Sequence, residues 1–240
     1  MKCIILAAGY ATRLYPLTEN FPKPLLDVGG KPILDWLVED LAKTANIDEF
    51  VVISNHKFAH HFEKWAAGHE QKITVVDDGT ETNVTRLGAV KDIWFAVEKL
   101  KIDDDAVVMA GDNMLDFSLG GFVEFALEKG TSCIMTHEEN ELKKLQKTGV
   151  ITIDENCRIT SYEEKPAVPK GNMAVPPFYV YRNEDLMRIP EAIESGCNAD
   201  APGSFAAWLS TKTPMHAYVM PGKRHDIGDL ASYEYVKGLF

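Results

Sequence analysis

An apolar run, Lys2–Leu6 (KCIIL), gives way at once to Ala7, Ala8 and Gly9. Runs of this kind fill buried parallel strands. A strand that ends in small residues leaves backbone N–H groups able to turn towards an anion, which they attract without adding a mobile charge. Arg13 then supplies a planar fork of donors suited to phosphate oxygens, and Lys23 supplies a compact ammonium. Pro22 and Pro24 fix φ on both sides of that lysine, so stiff chain holds it. Two cations beside a bare backbone predict a polyphosphate site. The competing reading, for the turn alone, is an ordinary strand-to-helix connection.

Beyond this loop, helical and extended patterns alternate. Pro32 opens a helical pattern that reaches about Lys43, 50–54 reads as strand, 58–67 as helix and 72–76 as strand. A polar loop, DDGTETNVT, leads to a helix over about 87–100 and an apolar strand at 106–110. This alternation predicts an α/β fold, Rossmann-like, with α/β/α layers around a mixed, mostly parallel central sheet. From Val150 the pattern changes to extended pieces at 150–153, 158–162 and 173–181, with helices near 184–195, 204–209 and 230–237. No linker or repeat interrupts the chain, so a single domain over 1–240 is expected, with halves 1–130 and 131–240.

Composition narrows the function. With 45% hydrophobic and 25% charged residues, a chain of 240 can bury a substantial core. A formal net charge of −11 argues against general nucleic-acid binding, which needs a basic face, while a few local cations still serve a small anion. The sequence starts directly with a core strand and has no run of about 18 apolar residues, so a cytoplasmic protein without membrane contact is expected. Cys3, Cys133, Cys157 and Cys197 lack zinc or C-x-x-C spacing and are expected as reduced thiols. His56, His60, His61 and His69 are expected to be exposed, and Trp36, Trp65, Trp94 and Trp208 to lie in the core.

Three further segments carry candidate chemistry. The strand at 106–110 ends in Gly111-Asp112-Asn113, and ligands of doubly wound sheets bind beyond the carboxyl ends of strands. Asp112 is therefore expected to face the 7–13 loop. A carboxylate beside phosphates is repelled unless a cation intervenes, which makes Asp112 a candidate magnesium ligand; a plain turn, with Asp and Asn bonding their own backbone, is the alternative. His225-Asp226-Ile227-Gly228-Asp229 offers a second carboxylate at Asp226, with Asp229 as N-cap of the following helix. In Tyr162-Glu163-Glu164-Lys165-Pro166, a lysine held before proline suits a second phosphate and Glu164 suits hydroxyl donors, although such charge runs are commonly solvated surface.

The pattern L-A-A-G-x-x-T-R-L-x-P-L-T-x-x-x-P-K-P-L-L, from Leu6 to Leu26, resembles the signature loop of the sugar-1-phosphate nucleotidyltransferases, also called nucleotide-sugar pyrophosphorylases. It is neither a Walker loop nor a dinucleotide fingerprint. Ala11 stands where that family has a second glycine; alanine costs little there at negative φ and is strained at positive φ. G-D-N, E-E-K-P and D-I-G follow in the family's order, so the resemblance covers nearly the whole chain, in a short form without a C-terminal β-helix.

The resemblance implies transfer of a nucleoside monophosphate from a nucleoside triphosphate to a sugar 1-phosphate, with release of pyrophosphate and with Mg²⁺ as cofactor. It implies nucleotide contacts at Leu6, Ala7, Ala8, Gly9, Ala11, Thr12, Arg13, Lys23, Asn83, Gly88 and Asp112, metal ligation by Asp112 and Asp226, and acceptor contacts at Gly149, Glu164, Lys165, Phe178 and Tyr179. Arg13, Lys23 and Lys165 would be the catalytic cations. Residues 1–130 would bind nucleotide, and 131–240 would bind acceptor and carry the second metal ligand. Asn83 stands in the region where thymidylyl and uridylyl members read the base with glutamine, and Pro176-Pro177 stands where relatives have small residues, so base and acceptor stay open. Two alternatives remain. One is a cytidylyltransferase acting on phosphocholine or an aminoalkylphosphonate, which Glu163, Glu164, Phe178 and Tyr179 would suit; the other is a non-catalytic nucleotide-sugar-binding regulatory subunit. The expected partners are a nucleoside triphosphate and a small phosphorylated acceptor, in a monomer or homodimer.

Overall fold

The computed structural model describes residues 1–44 and 46–240. They form two compact units interleaved along the sequence: Met1–Leu87, Met109–Gly120 and Gly222–Phe240 make the first, and Gly88–Val108 with Gly121–Pro221 make the second. The division does not follow residue 130, because 109–120 and 222–240 both join the N-terminal segment.

In the first unit, strands Lys2–Leu6, Glu49–Ser54 and Ile73–Asp77 run parallel, with Leu6 opposite Ile53 and Ile53 opposite Val76. Their apolar runs are buried at Ile4, Ile5, Val51, Val52 and Ile53, as strands covered by helices require. Helix Ile33–Leu41 follows Pro32 and buries Ile33, Leu34, Leu37, Val38 and Leu41, an apolar stripe of helical period. Helix His56–Ala66 starts where the Asn55 side chain accepts the Phe58 N–H.

A small antiparallel pair, Asn113–Leu115 with Arg224–Asp226, brings distant sequence together, with Asp226 opposite Asn113. Helix Leu230–Lys237 follows, closed by a capping box between Asp229 and Ser232. Leu14, Leu26, Val28, Ile33, Met114, Ile227, Tyr233 and Val236 form one buried cluster. Each such side chain contributes about 1.5–3 kcal/mol by burial, so the C-terminal segment shares its core with the N-terminal loop.

In the second unit, Ile159–Glu164 pairs with Gly149–Ile153, which pairs with Met173–Val175, and that strand pairs with Cys133–Glu138, all antiparallel. Phe178–Tyr181 is also antiparallel to Cys133–Glu138, and His216–Val219 is parallel to it. Helices Ala89–Leu100, Ile189–Glu194 and Pro202–Ser210 pack on one another. The expected α/β class with a mixed central sheet and flanking helices is the class the chain adopts.

Several local expectations need correction. The extended piece at 173–181 is two strands, because Pro176 and Pro177 offer no N–H to a ladder. The helix at 184–195 is two, Asn183–Leu186 and Ile189–Glu194, the second with Pro190 in its first turn. The four tryptophans are half-buried at the rim, where Trp36 donates to the Val28 carbonyl and Trp65 to Asp35. His61 and His69 are also half-buried, His69 against the Trp65 ring and 3.3 Å from Asp35. All four cysteines are free. Among the described residues, no helix is long and apolar enough to cross a membrane.

Candidate active site

The N-terminal loop, both metal candidates and the D-I-G segment all fall in the first unit. The Gly111 N–H donates to the Leu6 carbonyl at 3.1 Å, tying the G-D-N turn to the end of the first strand. A Cβ on Gly111 would lie 2.9 Å from Ile5 Cγ2, so only glycine allows this approach. A cavity of about 160 Å³ lies beside the turn, lined by Leu6, Ala7, Gly9, Ala11, Arg13, Leu14, Lys23, Pro24, Ala110, Asp112 and Gly228. Ala8 is buried beneath it, and Thr12 is exposed at the start of the turn Thr12–Leu14.

Lys23 is only 7% exposed, and its Nζ lies 2.7 Å from Asp112 Oδ2. Asn113 Nδ2 donates to Asp112 Oδ1 at 3.0 Å, and Arg224 Nη1 donates to Asn113 Oδ1 at 2.6 Å. The same Arg224 nitrogen is 3.5 Å from Asp226 Oδ1. A Cβ on Gly228 would be 3.6 Å from Asp226 Oδ2 and 3.8 Å from Arg13 Nη1, so that glycine separates a carboxylate from a guanidinium at the cavity edge. Arg13, Lys23 and Asp112 thus line one cavity with Asp226 beside Gly228 at its edge, the four coming from three distant stretches of the sequence. Arg224, which holds Asn113 and Asp226, was not among the expected site residues; its only sequence signal is its place two residues before Asp226.

Asp112 lines the cavity and Asp226 lies beside Gly228 at its edge, hard oxygens of the kind that suits Mg²⁺, which binds through one or two carboxylates plus phosphate and water oxygens. Among the described residues no group of three or more His, Cys, Asp and Glu side chains could hold a metal, so the phosphate oxygens would be needed to complete the shell. A second cavity in this unit, about 500 Å³, is lined by residues such as Trp36, Glu39, Asp40 and Phe117 and contains none of the expected site residues.

Ala11 takes the left-handed conformation, φ 44° and ψ 43°, at the position where the signature has glycine. A non-glycine residue costs roughly 1–2 kcal/mol there. Ala11→Gly is expected to raise stability by up to about 1 kcal/mol, or about 2–4 °C in thermal midpoint, which differential scanning calorimetry measures.

The acceptor candidates fall in the second unit. Glu164 stands opposite Gly149 across the strand pair. A Cβ on Gly149 would lie 2.5 Å from the Tyr162 hydroxyl, and one on Gly203 would collide with Glu164 Oε2. Both glycines therefore make room for the chain's own Tyr162 and Glu164 side chains. Lys165 is exposed at φ 49°, its N–H bonded to the Thr148 carbonyl at 3.1 Å. Phe178 and Tyr179 are buried in their strand, with the Tyr179 and Tyr181 rings stacked 5.6 Å apart.

Of the base-reading candidates, Asn83 is exposed and accepts from Arg86 through both its side-chain and main-chain oxygens. Gly88 has φ +93°, and a Cβ there would sit 2.7 Å from the Ala199 carbonyl oxygen, so internal packing alone accounts for glycine.

Burial lifts the Glu164 carboxyl above its ordinary value of 4.5, with the Lys165 charge countering only in part. The folded state then binds this proton more tightly than the unfolded chain, so this group's contribution to stability falls as pH rises from 4.5 through the folded value. The thermal midpoint of the wild type minus that of Glu164→Gln is expected to decrease over this range in a pH series.

Comparison with known proteins follows the same lines. A family model described as nucleotidyl transferase matches residues 2–237. The chain is 26% identical to a UTP–glucose-1-phosphate uridylyltransferase of Synechocystis, over 97% of this chain and 61% of that protein. It is 30% identical to mannose-1-phosphate guanylyltransferase 1 of Arabidopsis thaliana, over 100% of this chain and 64% of that protein. It thus spans less than two thirds of the length of these relatives. A Bacillus anthracis crystal structure, provisionally assigned as a glucose-1-phosphate thymidylyltransferase and containing a sucrose, matches with a TM-score of 0.83 and 26% identity, covering 100% of this chain and 94% of that one.

Proposed function

Since this chain belongs to the nucleotidyl transferase family, we propose that it transfers a nucleoside monophosphate from a nucleoside triphosphate to a sugar 1-phosphate, releasing pyrophosphate and forming a nucleoside diphosphate sugar. The observation that carries the reading is the buried Lys23, 2.7 Å from Asp112 at the cavity that Arg13 and the bare loop backbone also line. Pure binding needs fewer opposed charges than this, which argues against a non-catalytic subunit.

In the proposed reaction, a phosphate oxygen of the acceptor attacks the α-phosphorus and the bond to the β,γ-pyrophosphate breaks in line. Such chemistry depends on positioning and charge neutralisation more than on covalent help from the protein. Arg13 would hold the leaving phosphates through its fork of donors, and Lys23 would neutralise charge at the α-phosphate. Lys165 would hold the attacking phosphate, and Glu164 would take hydroxyls of the sugar. Asp112 and Asp226 would hold Mg²⁺, which when bound offsets negative charge on the polyphosphate. An acceptor phosphate is already ionised near neutral pH, so no general base is required.

The two curated relatives carry names with uridylyl and guanylyl transfer, so the base is left to experiment. Purified protein with Mg²⁺ should release pyrophosphate in a matrix of ATP, GTP, CTP, UTP and dTTP against sugar 1-phosphates, phosphocholine and 2-aminoethylphosphonate. The expected result is release that requires a sugar 1-phosphate. Release only with the amine-bearing acceptors, or none in any combination, would contradict the reading.

A further inference from the structure

Two fully buried polar side chains of the first unit reach the N-terminal loop from behind. Asn55 accepts the Phe58 N–H at Oδ1, 3.0 Å, and donates from Nδ2 to the Ala8 carbonyl, 2.9 Å, across 47 residues of sequence. Thr18 donates its hydroxyl to the Ala11 carbonyl at 2.8 Å, the same oxygen that receives the Leu14 N–H at 2.9 Å. Neither side chain is among the residues that line the cavity. Whatever they contribute there passes through the backbone.

A trans peptide carries its C=O and the next N–H on opposite sides. Among the described residues the one cis peptide is Tyr15–Pro16, so both carbonyls in question belong to trans units. Holding the Ala8 carbonyl against Asn55 turns the Gly9 N–H the other way. Gly9 is exposed and lines the cavity, and a Cβ there would meet nothing within 4 Å. Holding the Ala11 carbonyl does the same for the Thr12 N–H. Ala11 is left-handed and Thr12 opens a right-handed turn, and this alternation of hand curls successive N–H groups into a concavity that binds anions.

We propose that Asn55 and Thr18 are positioning residues for the polyphosphate, aiming the Gly9 and Thr12 amides by tying back the carbonyls that precede them. This inference rests on the polyphosphate reading of the loop. Capping the helix would use only the Oδ1 of Asn55, and filling the space at Thr18 would take only a valine, so the Nδ2 and hydroxyl donors are the groups that this role employs.

The test uses inorganic pyrophosphate with Mg²⁺ as probe, on the full chain, by calorimetry and by amide shifts of Gly9 and Thr12. Thr18→Val removes the hydroxyl, Thr18→Ser restores it, and Asn55→Asp keeps the capping oxygen while removing the Nδ2 donor. In the wild type both amides should move downfield on binding. Thr18→Val should weaken binding about tenfold and abolish the Thr12 shift while sparing Gly9, and Asn55→Asp should do the reverse, since one charge-assisted hydrogen bond is lost in each. Thr18→Ser should recover both affinity and shift, and the KM for the acceptor should stay unchanged throughout. Variants that keep the wild-type affinity and shifts would overturn the positioning role, as would a Thr18→Ser protein as impaired as Thr18→Val. A wild-type protein that binds no pyrophosphate would remove the polyphosphate reading itself, and the positioning role with it.

Discussion

Asp112→Asn is expected to lower kcat for nucleotidyl transfer by about 10³-fold, equivalent to roughly 4 kcal/mol of lost transition-state stabilisation. The asparagine keeps an Oδ1 that can accept the Asn113 amide, now 3.0 Å away, so the turn should persist. What disappears is the negative charge. Lys23 loses its partner at 2.7 Å, and the proposed Mg²⁺ site would lose one of its two carboxylates. Steady-state kinetics with a Mg²⁺ titration checks this. The loss should survive saturating Mg²⁺, and the thermal midpoint should fall, because the nearly buried Lys23 is left without its carboxylate partner.

Lys23→Met should separate catalysis from metal binding. The ammonium is nearly buried and rests on Asp112 Oδ2, an oxygen that a cation would otherwise use. Removing it is expected to lower kcat by about 10²–10³-fold, the range for loss of one preorganised charge-stabilising donor. It should also tighten Mg²⁺ or Mn²⁺ binding to the nucleotide-free protein, since no ammonium then competes for the carboxylate. Calorimetry without nucleotide, alongside single-turnover kinetics, gives both numbers. A variant that binds the divalent ion more weakly would place Lys23 in support of the metal instead of in competition with it.

The strongest elements were legible in the sequence because they depend on local pattern. Lys2–Leu6, Glu49–Ser54 and Ala106–Ala110 are short apolar runs, and helix Ile33–Leu41 shows its period directly. Asp229 as an N-cap was also readable, being a cap residue just before a helical stripe. Strands that depend on a distant partner were not. Asn113–Leu115 and Arg224–Asp226 are three residues each and exist because they pair across 111 residues of sequence, as the Arg224–Asn113 hydrogen bond shows. Cys133–Glu138 and His216–Val219 were likewise missed, and they too meet as non-local neighbours.

The same distinction runs through the site. Arg13, Lys23, Asp112 and Asp226 could be proposed from the sequence because their charge and setting suggest phosphate and metal chemistry one residue at a time. Asn55 and Thr18 could not, because each acts on a backbone carbonyl that no sequence pattern reveals. At Gly88 and Gly149 the Ala199 carbonyl and the Tyr162 hydroxyl fill the space that a Cβ would take, a packing demand that the sequence does not reveal. The left-handed Ala11 shows that the loop conformation persists where glycine would be easier, with two hydrogen bonds on its carbonyl to hold it.

The central claim is that the acceptor's own phosphate attacks the α-phosphorus. A sugar 1-phosphate carrying ¹⁸O on all its phosphate oxygens tests this most directly, with mass spectrometry of both products using the active pair from the substrate matrix. Every labelled oxygen should stay in the nucleoside diphosphate sugar, and the released pyrophosphate should carry none. Label in the pyrophosphate, or nucleotide turnover that proceeds without acceptor, would contradict the claim.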